Sequence, residues 1–247
     1  MHIIANWKMN GDSARALALT QEVSAYIGER ELKAQCVLCP PATLIPTVAG
    51  ACDHVPRLAV GGQDCHGEVS GAFTGDIAAA MLKDAGATYV IVGHSERRRY
   101  HGETDAVVAA KARAALQAGL IPVICVGETQ EEYERHETLA VIEAQALACV
   151  PEGHRQKVIV AYEPVWSIGS GKLPGLGEIE IAHSAIAAVL LEKKGIAPEE
   201  ISVLYGGSVN AGNAQSILQI PDVGGVLVGT ASLNAGEFCQ ILAASQG

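Results

Sequence analysis

A few side chains in this 247-residue sequence have the types and placing that acid–base chemistry on an anion needs. Glu163 lies in Ala161-Tyr162-Glu163-Pro164-Val165-Trp166, at the end of an apolar run and just before a proline. A carboxylate there reads as a general base, or else as a helix N-terminal carboxylate or ion-pair partner. His94 lies in Val92-Gly93-His94-Ser95-Glu96-Arg97, where Ser95 is a candidate cap for a short helix. A helix N-terminus disfavours the protonated ring, so the imidazole reads as a neutral donor, with a hydrogen-bonded core histidine as the plainer alternative. Lys8 follows an apolar run and can hold a fixed positive charge against an anionic ligand, or lie along the surface as a solvated lysine. Asn6, two residues earlier, faces the same side of a strand as Lys8.

Three glycine-bearing segments suit a phosphate: Ile168-Gly169-Ser170-Gly171-Lys172, Tyr205-Gly206-Gly207-Ser208 and Val228-Gly229-Thr230. Glycine lets backbone N–H groups approach an anion closely, although each segment alone is also an ordinary turn. Gly-Ser-Gly-Lys is not a P-loop, because Trp166 stands where its first glycine belongs and Leu173 replaces the required Ser or Thr. Cys36-Val37-Leu38-Cys39 is formally a metal spacing, but residues i and i+3 of a strand point to opposite faces. No metal and no cofactor site is expected.

The elements that must position these groups follow from composition. Apolar types make up 49% of the chain and aromatics only 4%, so aliphatic side chains dominate, as in parallel sheets buried on both faces. The net charge of −10, with no Lys/Arg cluster beyond Arg97-Arg98-Arg99, argues against a nucleic-acid partner. No apolar stretch reaches the ~18 residues of a membrane span, and the first residues lack the pattern of an export signal. The seven scattered cysteines then read as reduced thiols in a cytoplasmic protein.

Short apolar runs occur at Ile3–Trp7, Cys36–Cys39, Leu58–Gly61, Tyr89–Val92, Ile121–Val126, Val158–Ala161, Ile201–Leu204 and Val226–Val228. Helix-compatible stretches at 12–30, 103–118, 130–149, 178–194 and 232–245, and shorter ones at 41–51, 76–85 and 212–219, separate them. Eight strand–helix units in one chain of this length predict an α/β fold, a (β/α)8 barrel forming a single domain over 1–247. A doubly wound sheet has fewer strands and a G-x-G-x-x-G after the first, which is missing here. In a barrel the site lies at the C-terminal strand ends, and Asn6, Lys8, His94, Glu128 and Glu163 all follow apolar runs.

Taken together, Asn6-Trp7-Lys8, Gly71-Ala72-Phe73-Thr74-Gly75, Gly93-His94-Ser95-Glu96-Arg97-Arg98, Cys125-Val126-Gly127-Glu128-Thr129, Ala161-Tyr162-Glu163-Pro164-Val165-Trp166, Tyr205-Gly206-Gly207-Ser208-Val209 and Leu227-Val228-Gly229 closely resemble the triosephosphate isomerase family, in order and spacing across the whole chain. The resemblance implies a reversible aldose–ketose exchange between D-glyceraldehyde 3-phosphate and dihydroxyacetone phosphate through an enediolate, in glycolysis and gluconeogenesis. It implies Glu163 as the base, His94 as the electrophile, Lys8 with Asn6 as charge stabilisers, and Glu96 as the partner of Lys8. Asn6, Trp7, Lys8, Gly169, Gly207, Ser208, Gly229 and Thr230 would bind substrate. Pro164, Val165, Trp166, Ser167, Ile168, Gly169, Ser170, Gly171 and Lys172 would form the lid. The polar segment 63–76, carrying Thr74 and Gly75, would dock into a second subunit, which makes a homodimer. The alternatives are a phosphate-binding barrel without catalysis, or another barrel enzyme acting on a phosphorylated sugar or indole precursor.

The sequence departs from the family pattern in several places. Thr230 stands where a second glycine is usual, and a β-branched residue tolerates positive φ poorly. Leu173-Pro174 follows the lid, which predicts a stiffer hinge, and the next helix begins Gly175-Leu176-Gly177-Glu178 with a weaker cap than usual. Ala187 and Gly224 replace a frequent Arg and Asp together, so neither leaves an unpaired buried charge.

Overall fold

The computed structural model describes residues 1–152, 157–170 and 172–246. Its eight strands are β1 (His2–Asn6), β2 (Gln35–Cys39), β3 (Leu58–Gly62), β4 (Tyr89–Val92), β5 (Ile121–Val126), β6 (Val158–Tyr162), β7 (Ile201–Tyr205) and β8 (Gly225–Val228). They pair in sequence order, all parallel, and β8 closes back onto β1. Each apolar run of the sequence is one of these strands, to within a residue or two at its ends.

Side chains alternate across each strand, and the two sets form separate cores. Ile4, Val37, Cys39, Ile91, Val123 and Ile159 fill the barrel interior. Ile3, Cys36, Leu38, Val90 and Val92 face outward, where they pack beneath the helices. Cys36 and Cys39 therefore lie on opposite sides of β2. Both cores are mainly aliphatic because every strand is covered twice, and full burial of one such side chain contributes about 1.5–3 kcal/mol.

The helices around the barrel are α1 (Ser13–Gly28), α2 (Ile45–Cys52), α3 (Ala79–Asp84), α4 (Ser95–His101), α5 (Asp105–Gln117), α6 (Gln130–Glu134), α7 (Thr138–Cys149), α8 (Leu176–Lys194), α9 (Ala214–Leu218) and α10 (Ala235–Ala244). The stretch 130–149 is two helices rather than one. His136 takes φ 58° between them, a left-handed conformation that no α-helix continues through. The stretch 232–245 is likewise divided into a 3-10 turn, Thr230–Leu233, and α10, whose N-cap Asn234 accepts the Glu237 N–H at 2.9 Å. The start of α8 is better capped than the sequence suggests, since the Glu178 carboxylate accepts the Gly175 N–H at 2.6 Å. At α4 the cap is His94 itself and not Ser95: its Nδ1 accepts the Glu96 N–H at 3.2 Å.

No helix among the described residues is long and apolar enough to cross a membrane. No group of three or more His, Cys, Asp or Glu side chains among them is placed to hold a metal ion.

Candidate active site

The strand ends open into a cavity of about 190 Å³ whose walls include Asn6, Lys8, His94 and Glu163. Ile168, Gly169, Gly207, Ser208, Gly229 and Thr230 also line it. Residues from β1, β4, β6, β7 and β8, distant in sequence, thus meet around one small space.

Glu163 follows β6 and is almost completely buried. Its Oε1 lies 3.0 Å from His94 Nε2, and its Oε2 accepts the Ser95 N–H at 2.9 Å. Burial alone raises a carboxyl pKa, but the His94 ring, the Ser95 N–H and Lys8 oppose it, and the net direction is downward. The group is held as a carboxylate. Two glycines make room for Glu163, one for its main chain and one for its side chain. A Cβ on Gly127 would fall 1.7 Å from the Glu163 carbonyl oxygen, and one on Gly206 would fall 2.9 Å from its Cγ.

For His94, burial pulls the pKa down and the Glu163 carboxylate more than reverses it, so the net direction is upward. The depressed imidazole expected beside a helix N-terminus thus meets an opposing field. The tautomer is nonetheless set by geometry. Nδ1 accepts the Glu96 N–H, which leaves the ring proton on Nε2, facing Glu163.

Lys8 has φ 52°, a left-handed conformation rare for a side chain of its size and frequent at functional sites. Its surroundings hold it there. Asn6 Oδ1 accepts the Lys8 N–H at 3.0 Å, and Gln63 Nε2 donates to the Lys8 carbonyl at 2.7 Å and to the Cys39 carbonyl at 2.9 Å. Lys8 Nζ contacts Glu96 Oε1 at 2.5 Å. Sequence reading did not find Gln63, because nothing local marks a glutamine whose partners lie 55 and 24 residues away.

Trp7 does not belong to this pocket. Strand alternation turns it away from Asn6 and Lys8 into the outer core, where it is fully buried.

The segment after Glu163 folds over the mouth as successive turns, with Ile168 and Gly169 lining the cavity. Trp166 Nε1 donates to Glu128 Oε1 at 2.8 Å and its ring stacks on Tyr133 at 4.2 Å. Ser208 Oγ donates to the Ser167 carbonyl at 2.7 Å, joining this segment to the loop after β7. Glu128 is fully buried, and burial raises its pKa against the bonds from Trp166 and Tyr162. Gly171 lies outside the described residues. Thr230, at the start of its 3-10 turn, is not among the residues with positive φ, so its β-branched side chain is unstrained.

The chain that folds into this closed eight-stranded barrel is matched along nearly its whole length by known proteins. The family model for triosephosphate isomerase matches residues 1–245. The chain belongs to the triosephosphate isomerase family. Triosephosphate isomerase of Ruegeria sp. is 49% identical over 240 residues, covering 97% of this chain and 95% of that protein. The enzyme of Hyphomonas neptunium is also 49% identical, with 97% and 96% covered. The crystal structure of triosephosphate isomerase from Bartonella henselae superimposes with a TM-score of 0.90 at 38% identity, covering 100% of this chain and 99% of that one. As a triosephosphate isomerase, the chain is an enzyme that interconverts an aldose and a ketose phosphate.

Proposed function

We propose that this isomerisation runs in the barrel-mouth cavity, with Glu163 as the base that carries a proton between the two substrate carbons. The observation that supports this most directly is a buried carboxylate held ionised 3.0 Å from a ring N–H, with the Lys8 cation lining the same cavity. The reaction takes D-glyceraldehyde 3-phosphate to dihydroxyacetone phosphate and back, the step of glycolysis and gluconeogenesis. Neutral His94 polarises the carbonyl and moves protons between the oxygens. Lys8 stabilises the enediolate charge, Glu96 and Asn6 fix Lys8, and the backbone around Gly169, Gly207, Ser208, Gly229 and Thr230 receives the phosphate. Residues 164–172 serve as the lid. An enediolate open to water would expel its phosphate, and closure prevents that.

The whole of residues 1–247 forms one catalytic domain, acting in the cytoplasm as a homodimer. A groove of about 470 Å³ beside the active cavity, sharing Asn6, Lys8 and His94 with it, supports the dimer. So do the solvent-facing Met9 and Tyr100 at its edge and the projecting segment 63–76 with exposed Phe73 and Thr74. A second copy's segment entering that groove would cover these apolar side chains.

A coupled isomerase assay on wild type and Glu163→Gln tests the assignment. Loss of the base is expected to lower kcat by roughly 10²–10⁴-fold. Equal rates would remove Glu163 from the role.

A further inference from the structure

The ladder between β4 and β5 ends at Val92↔Ile124. The next register position would pair Gly93 with Cys125, and the side chain of Arg98 stands there instead. Its Nε donates to the Gly93 carbonyl at 3.0 Å and its Nη2 to the Cys125 carbonyl at 3.2 Å. The other edge of the guanidinium is held by Asp105, 2.6 Å from Nη1, and by the Cys149 sulfur, 3.4 Å from Nη2. Arg98 itself belongs to α4, the helix that His94 caps.

Both carbonyls that Arg98 grips adjoin the chemistry. Gly93 immediately precedes His94. Cys125 faces the barrel interior, where burial and the nearby Glu163 carboxylate both raise its thiol pKa and keep it protonated. The planar fork of an arginine spans two diverging carbonyls, which the compact ammonium of a lysine cannot do.

We propose that Arg98 is a positioning residue for the isomerisation, a guanidinium clamp across the parting ends of β4 and β5 that sets His94 and Glu163 at their working separation. This rests on the reading of His94 and Glu163 as the reacting pair. Release of the clamp would let α4 and its cap shift relative to β6, and a misplacement of about 1 Å at reacting groups costs ~10²-fold in rate. The phosphate-side residues are on β7, β8 and the lid and are untouched, so substrate binding should persist.

The test measures kcat and KM for Arg98→Ala and Arg98→Lys, alongside His94→Gln and with guanidinium added. For Arg98→Ala, kcat is expected to fall roughly 10–100-fold with KM within about two-fold, because misplacement slows chemistry without removing phosphate contacts. Arg98→Lys should recover little of this. Millimolar guanidinium should restore Arg98→Ala several-fold, while methylammonium should not. The ¹⁵N resonances of the His94 ring, sharp for one tautomer in wild type, should shift in Arg98→Ala and return with guanidinium. A folded Arg98→Ala enzyme with wild-type kcat overturns the clamp, as does a loss in which KM rises in proportion. If Arg98→Ala fails to fold, Arg98→Lys decides, and wild-type kcat in that variant overturns it. A His94→Gln enzyme of normal rate would instead remove the underlying reading, whatever Arg98 does.

Discussion

Nε2 of His94 and Oε1 of Glu163 lie 3.0 Å apart, although 69 positions separate the two residues in sequence. The contact couples their titrations. Burial raises the Glu163 carboxyl, and His94 is foremost among the groups that bring it down again. Replacing His94 by Gln should therefore do two things. It should lower kcat by roughly 10²–10³-fold through loss of the electrophile. It should also move the acid limb of the kcat/KM profile to higher pH, because the carboxyl then titrates nearer the value its burial favours. An acid limb that stays in place would show that Ser95 and Lys8 alone keep Glu163 ionised.

Thr230 is exposed, unstrained and on the cavity wall, so its hydroxyl is free to meet a phosphate oxygen. Thr230→Val, which keeps the shape and removes the donor, should raise KM by about ten-fold at unchanged kcat, the size of one hydrogen bond to a charged group. Thr230→Ser should stay close to wild type. If Thr230→Gly and Thr230→Val both leave KM unchanged, the hydroxyl makes no contact and the backbone N–H suffices.

A charge at the tip of the projecting segment reports on assembly. Thr74→Glu should shift the sedimentation of the protein from dimer to monomer at micromolar concentration, because a carboxylate buried without a partner is costly. Activity should fall with the dimer, since the docking groove shares its wall with Lys8 and His94. A monomer of full activity would refute the dimer as the working form.

His183, on α8, is fully buried, and that burial brings its pKa down to about 4 from 6.5. Between those values the unfolded chain binds a proton that the folded chain refuses. Stability is therefore complete above pH 6.5 and falls as the pH drops toward 4, by about 3 kcal/mol from this residue. Denaturant titrations of wild type and His183→Gln across this range should show a shallower slope in the variant. Parallel curves would mean that other groups, His2 among them, carry the acid sensitivity.

Much of this was legible in the order of residues. The eight strands announce themselves because a strand covered on both faces must be apolar nearly throughout, as the aliphatic runs Val90–Val92 and Val158–Ala161 are. Glu163, His94 and Lys8 stand out because polar residues directly after such runs lie at the mouth of a barrel. The failures are also physical. Trp7 looks like a neighbour of Asn6 and Lys8, but the period of two in a strand puts it on the other side of the sheet. Ser95 looks like a cap, but the ring nitrogen of His94 reaches the helix terminus first.

Thus the sequence alone determined the barrel, its strands and the identity of the polar groups at its mouth, since each follows from local pattern. Only the tertiary structure decided what those groups do to one another. The 3.0 Å contact of His94 with Glu163, the space that Gly127 and Gly206 leave for Glu163, the hold of Gln63 on the strained Lys8 backbone, and the hold of the Arg98 guanidinium on the Cys125 carbonyl all join residues far apart in the chain. Such contacts depend on distances of a few ångströms that closure of the barrel sets, and no local pattern of residue types encodes them.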